Sequence, residues 1–389
     1  MRPASPPPGP VSTSQFLRMS APGMSADSTA VTTPPLLDPL QKRARPRRLV
    51  NACTIEVEEF PSDDSVPPYA ILSHCWKQGQ EVSYQEMVKC QSSIAAWLSI
   101  RAQSGYKKIV AACRQAREDN HTYIWIDTCC IDKGDHGQQS QDINSMFDYY
   151  KNAKVCYVYL NDYDSRQFDL CNMYKLGSPP PPLPSRYPIP CWFFSGWTLQ
   201  ELVAPSSVEF FDAEWKRCGD RNTLSLSISY ITGIRDDVLG LGYGYGDMDV
   251  GIVERMSWAI HRQTTKEEDR AYCLLGLLDV TMEPRYGEGI ESAFERLSKV
   301  LHERYSHRQC QVEGIPKNGR EMMKDLSYRI AKTQWSYPEF YNYAPPPGNK
   351  NENPNDDQDD AGSMSSGYWG KHPWKRLKRK FQSQHRSHV

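Results

Sequence analysis

The sequence predicts an α/β protein: a mostly parallel central sheet flanked by helices, followed by a helical C-terminal third. Three short, apolar, β-rich runs carry the first half of that reading, Tyr69–Ser73, Tyr123–Ile126 and Val155–Leu160. Between them Ile109, Ala112, Cys113 and Ala116, then Ile143, Met146, Phe147 and Tyr150, fall at i, i+3, i+4, i+7, the stripe of an amphipathic helix. Strand, helix, strand, helix, strand gives a parallel sheet with helices on its faces. The second half rests on two further stripes: Ala271, Leu274, Leu275 and Leu278, then Ile290, Ala293, Phe294, Leu297 and Leu301.

Taken in order, residues 1–46 are rich in Pro, Ser and Thr with few large apolar groups, a composition that stays disordered. An ordered domain is expected over 47–310. Leu49–Phe60 reads as one strand, stopped by Pro67-Pro68, and Tyr69–Ser73 as the next. Two helical segments follow, the second carrying Ile109. Tyr123–Ile126 is the expected central strand. It turns polar at once, placing Asp127, Cys129, Cys130 and Asp132 at its carboxyl end, the edge where open α/β sheets build their sites.

After Val155–Leu160, residues 161–190 include Pro179–Pro182 and read as a long flexible, exposed insertion. Regular structure resumes at Trp192, with a short helix from Leu199 that must end near Pro205 and a strand at Val208–Phe211. Gly240–Gly246 reads as a loop. Thr265 and Glu268 have the capping-box spacing that starts a helix. Residues 311–344 form a weakly helical extension, and 345–389, acidic and then basic, a disordered tail.

The chain has 389 residues and a net charge of −1, so it is no polycation and nucleic acid is not an expected partner. Basic residues cluster at Lys42, Arg43, Arg45, Arg47 and Arg48 and again at Lys375–Lys380. These read as solvated runs in tails, or as patches for nuclear import or for an anionic surface. Twelve cysteines occur without a C-x-x-C pair, which matches neither a zinc module nor a secreted disulfide framework. No apolar run approaches the roughly 20 residues that span a bilayer, and the N-terminus lacks a signal-peptide core. The expectation is a soluble, cytoplasmic protein, with entry to the nucleus through the basic tails as the variant.

Phosphate-binding loops and common hydrolase and zincin motifs are absent. A Cys–His reading would pair His74 with Cys129 or Cys130, oriented by Asp127 or Asp132, since a nucleophilic thiolate needs such a base. Against it, adjacent cysteines beside a buried strand are small core residues. Metal binding by His74, Cys75 and Cys129 lacks a fourth ligand, so no metal or cofactor is expected. Glu201, at the start of a short helix after an aromatic cluster, fits a general base or a group that stabilises a developing cation. Its spacing from Thr198 equally fits a capping box. Trp258, Arg262, Thr264, Thr265, Glu268, Asp269 and Arg270 form a polar and aromatic joint of charge-assisted pairs.

Several blocks resemble the fungal heterokaryon-incompatibility (HET) domain. They are Tyr69–His74, Tyr123–Lys133, Ile143–Phe147, Gly196-Trp197-Thr198-Leu199-Gln200-Glu201-Leu202, Glu254–Trp258, Glu268–Gly276 and Tyr286–Gly289. They follow the family's order over about Leu49–Leu301. The positions so marked are Ser73, His74, Trp76, Asp127, Cys129, Cys130, Asp132, Trp197, Gln200, Trp258, Arg262, Glu268, Asp269, Tyr286, Gly287 and Gly289. The resemblance implies a fungal effector of nonself recognition that leads to programmed cell death. It would act through protein partners or self-association, with a fold distantly similar to Toll/interleukin-1 receptor (TIR) domains. Some TIR domains cleave the glycosidic bond of NAD with a glutamate; on that likeness NAD is a substrate and Glu201 the residue. The chain departs from the family at Ser195, where a basic residue is common, and in the Pro-rich insertion. No nucleotide-binding or repeat domain follows the blocks, so the expectation is either a separate partner for recognition or a stand-alone effector.

Overall fold

A computed structural model of the protein describes residues 43–167, 169–171, 189–241, 250–306, 315 and 318–322. Pro179–Pro182, most of Gly240–Gly246, residues 1–42 and nearly all of the expected C-terminal extension and tail lie outside the described residues.

The chain opens with β1 (Arg48–Asn51) and β2 (Glu56–Glu59), then β3 (Ala70–His74). Three helices follow, α1 (Tyr84–Ser92), α2 (Ile94–Ile100) and α3 (Ser104–Glu118). β4 (Tyr123–Trp125) leads straight into α4 (Asp127–Cys130), then come α5 (His136–Asn152) and β5 (Cys156–Tyr159). A 3-10 turn at Cys191–Phe194 precedes α6 (Thr198–Val203), β6 (Val208–Phe211) and β7 (Arg217–Asp220). The remainder is helical: α7 (Ser225–Thr232), α8 (Asp236–Leu241), α9 (Ile252–Ser257), α10 (Asp269–Tyr272) and α11 (Ile290–Arg304).

The strands form one sheet in the order β2-β1-β4-β3-β5-β6-β7. Its four inner strands, β4-β3-β5-β6, are parallel, and antiparallel pairings extend it at both sides. The α/β expectation therefore holds, with the parallel character confined to the middle. All five residues of β3 are buried, as strands covered on both faces must be. The edge strand β2 instead carries Glu56, Glu58 and Glu59, charges that discourage pairing with another chain.

Four local expectations change. Leu49–Phe60 is not one strand but a hairpin. The Asn51 side chain accepts the backbone N–H groups of Cys53 at 2.9 Å and Thr54 at 3.3 Å, an Asx-type turn that reverses the chain. The central strand is β3 rather than β4, which lies third from one edge. Three helices, not two, separate β3 from β4, because Ser93 ends α1 and caps α2 by accepting the N–H of Ala96 at 3.3 Å. The stripe Ala271–Leu278 is buried as expected, yet only Asp269–Tyr272 is α-helical. Beyond it the backbone tightens into i→i−3 bonds, Leu274 to Ala271 and Leu275 to Tyr272.

The first basic cluster is not a solvated run where it is described. Arg43 pairs with Asp63 at 2.7 Å, and Arg48 is buried, donating to Gln138 at 2.7 Å and lying over the Tyr84 ring. Tyr163, Leu170 and Ile189, at the two ends of the expected insertion, are buried as well. The core between sheet and helices is aromatic: Trp125 meets Tyr149 and Tyr150 edge-on at 5.7 and 5.8 Å. No described helix is long and apolar enough to cross a membrane.

Candidate functional site

Parallel strands that end together bring their carboxyl ends to one edge, and here that edge gathers a buried polar cluster. β3 ends on Ser73 and His74, and β4 hands over to α4 at Asp127. α5 contributes Tyr150, the 3-10 turn Trp192, and α6 Glu201. The start of α6 is held by Gly196, whose N–H donates to the Gln263 carbonyl at 2.8 Å. A Cβ at Gly196 would lie 2.5 Å from Thr264 Cγ2, so only glycine allows this approach.

Glu201 is not a cap. Thr198 sits inside the first turn of α6, and its hydroxyl donates backward to the Trp192 and Ser195 carbonyls at 2.6 and 3.0 Å. The Glu201 carboxyl, 4 % exposed, turns away from its own helix end and accepts from Ser73 Oγ at 2.5 Å. Trp192 Nε1 donates to the same Ser73 oxygen at 2.7 Å. Tyr150, which donates to the Leu72 carbonyl at 3.0 Å, also meets the carboxyl. Burial, reinforced by the charge of Asp127, pushes Glu201 up to about 8 against the pull of the Ser73 and Tyr150 hydrogen bonds and Arg262. At neutral pH the group is a carboxylic acid rather than a carboxylate.

Around it the charges are arranged asymmetrically. His74 lies between two carboxylates, Glu81 at 3.6 Å from Nε2 and Asp127 at 3.8 Å from Nδ1. Asp127 also accepts from Trp76 Nε1 at 2.6 Å, and the Lys133 ammonium sits 3.8 Å from the Trp76 ring. Burial works against ionisation of Glu81, but His74 and an ion pair with the buried Lys108 outweigh it and hold the carboxyl down to about 2. Asp132 bonds outward instead, to Gln85 and to the Gly134 N–H at 2.9 Å.

A second cluster forms where α10 meets the loop into α11. Glu268, expected to box with Thr265, makes no cap; its carboxylate accepts the N–H groups of Gly287 and Gly289 at 2.8 and 3.2 Å. The loop's two donors, both at positive φ, replace the helix end as its partners. Asp269 accepts from Tyr286 at 3.0 Å and from Trp197, and Lys266 covers the Tyr286 ring at 3.7 Å. Arg262 braces the start of α6. Its Nη1 donates to the Ser195 carbonyl at 2.8 Å and to Thr198 at 2.9 Å, and Glu201 lies within reach of its charge.

The family model described as "Heterokaryon incompatibility protein (HET)" matches residues 69–180, from β3 through β5. The chain carries a HET domain. The vegetative incompatibility protein HET-E-1 of Podospora anserina is 41% identical to it over 247 residues, 63% of this chain. That match spans 17% of the length of HET-E-1. No solved structure matches the chain.

The structure brings the HET-motif positions together unevenly. Ser73, His74, Trp76, Asp127 and Glu201 share the first cluster, and Trp197, Glu268, Asp269, Tyr286, Gly287 and Gly289 the second. Gln200 and Trp258 are buried in the packing between elements. Cys129 and Cys130 are buried too. The hydrogen bond between them, with burial, pushes the Cys129 thiol well above its ordinary value, so it is no thiolate nucleophile. Among the described residues no group of three or more His, Cys, Asp and Glu could hold a metal ion. Sequence reasoning missed Glu81, Lys108, Tyr150 and Trp192 as site residues. Lys108 had a signal: it interrupts the apolar stripe of α3 four residues before Ala112, where a lysine must find a buried partner.

Proposed function

We propose that this protein acts as a HET-domain effector in heterokaryon (vegetative) incompatibility, signalling through protein partners or self-association in nonself recognition that ends in programmed cell death. The observation that carries the reading is the 41% identity to HET-E-1 over 247 residues, 63% of this chain. The cytoplasm is its expected place of action. Inducing the full chain in a filamentous fungus should lower colony viability at least tenfold relative to an uninduced control. Undiminished viability at confirmed expression would contradict the effector role.

A second reading is supported by one feature of the site, a buried carboxyl raised to about 8 beside a buried arginine. In it the protein has a distantly TIR-like fold, and Glu201 cleaves the glycosidic bond of NAD. Nicotinamide leaves without needing a proton, so the step asks for an ionised carboxylate that stabilises the oxocarbenium ion of the ribose. Glu201 supplies that charge only above its raised pKa, and only once the cluster opens to admit substrate. Nicotinamide release should therefore climb as pH rises through about 8 and vanish in Glu201→Gln. Release that is absent at every pH from about 6 to 9.5, or equal in the variant, removes this reading.

A further inference from the structure

One cavity among the described residues carries two positive charges and no negative one. It is lined by Gly196, Arg262, Thr264, Arg270, Leu274 and Phe294, the last of these on α11. It has room for one oxygen-sized group. Arg262 is 4 % exposed, and two of its nitrogens, Nε and Nη2, are buried with no hydrogen-bond partner. Arg270 lies on the same wall, and burial holds its guanidinium below its ordinary value, as burial holds Arg262 down to about 10. Both remain charged at neutral pH.

Among the described residues neither guanidinium forms an ion pair with a carboxylate. Asp269, next in sequence to Arg270, is taken by Tyr286 and Trp197. Glu201 acts on Arg262 only through space and is protonated at neutral pH. The Cys273 thiol on the cavity wall is pushed up to about 12 by burial and contributes no charge. A buried charge left without a partner is strongly destabilising, whereas guanidinium forks pair readily with planar or tetrahedral oxyanions.

We propose that this cavity is an anion subsite in which Arg262 and Arg270 hold the phosphate or carboxylate head of a small ligand. One oxygen enters the cavity against the free nitrogens of Arg262, and the rest of the group lies at its mouth. Glycine at 196 keeps the space open, since a Cβ there would meet Thr264 Cγ2 at 2.5 Å and Cys273 Sγ at 3.1 Å. The site stands on the geometry of these residues and on neither reading of the activity.

Arg262 also braces the start of α6, so Arg270 is the residue to change. The full chain, exchanged into anion-poor buffer, is titrated with inorganic phosphate and separately with acetate at matched ionic strength. Saturable binding of at least one is expected, weakened at least tenfold in Arg270→Gln. Removing an uncompensated charge should leave Arg270→Gln melting no lower than the parent without the anion, while only the parent rises when the anion is added. Phosphate alone binding assigns the phosphate class, and acetate alone the carboxylate class. The absence of saturable binding by either anion, equal affinity in Arg270→Gln, or a lower anion-free melting temperature for that variant overturns the proposal.

Discussion

Replacing Glu201 by glutamine should change how stability depends on pH more than it changes stability at any one pH. The folded carboxyl keeps its proton up to about pH 8, against an ordinary value of 4.5 in the unfolded chain. Between those values the folded state binds more protons than the unfolded one. The contribution of Glu201 is therefore fully present below pH 4.5 and is lost progressively as pH climbs through 8. The span corresponds to a loss on the order of 3–5 kcal/mol for so buried a group. Glutamine has the same shape and no proton to lose. Relative to the parent, Glu201→Gln should gain stability steadily from about pH 5 to pH 8 and then level off, at about 2–4 °C of melting temperature per kcal/mol for a chain of this size. Taking the difference between the two proteins cancels the opposite trend from Glu81, which both share. Parallel pH profiles for the two would show that Glu201 ionises normally.

The second large effect is expected at Gly276, and it is steric rather than electrostatic. A Cβ added there would lie 2.2 Å from Phe147 Cβ and 2.9 Å from Cγ. Neither side can yield cheaply. Phe147 is buried on α5, and one turn earlier Asn144 clamps the same incoming segment by a pair of bonds to Met282, 2.8 and 3.1 Å. Gly276→Ala should cost about 1–3 kcal/mol, the range for overpacking a filled core. It should lower the urea midpoint without changing the slope. Because the clash is with one side chain and its nearest atom is Phe147 Cβ, which alanine would keep, Phe147→Gly should relieve it. The double variant should be more stable than the sum of the singles by at least about 1 kcal/mol. An unchanged midpoint in Gly276→Ala would mean that the segment stands further from α5.

How much of this could be read from the sequence depended on how local each signal was. The stripes Ile109–Ala116 and Ile143–Tyr150 and the run Tyr69–Ser73 are written in consecutive residues, and the elements formed there. The hairpin at Asn51 was missed although its turn residue was in plain view, because the flanking apolar positions suggested one long strand. Local spacing misled twice. Thr198 with Glu201 and Thr265 with Glu268 both have capping-box spacing, yet neither glutamate caps its own helix. Glu201 is claimed by Ser73, 128 residues away, and Glu268 by Gly287 and Gly289. Tertiary partners of that separation leave no periodic trace. The same holds for Arg262 and Arg270, which looked like members of a salt-bridged joint and instead face a cavity with no carboxylate beside it.

The account turns on the state of one side chain, a neutral carboxylic acid at Glu201 bonded to Ser73 in the interior of a HET domain. Infrared difference spectroscopy of the full chain, titrated from about pH 5 to about pH 10 across the raised value of Glu201, about 8, observes that group directly. A protonated-carboxyl band should disappear with its midpoint near pH 8 and be missing from Glu201→Gln. A band that is already gone at pH 6, or one that persists unchanged in the variant, would contradict it.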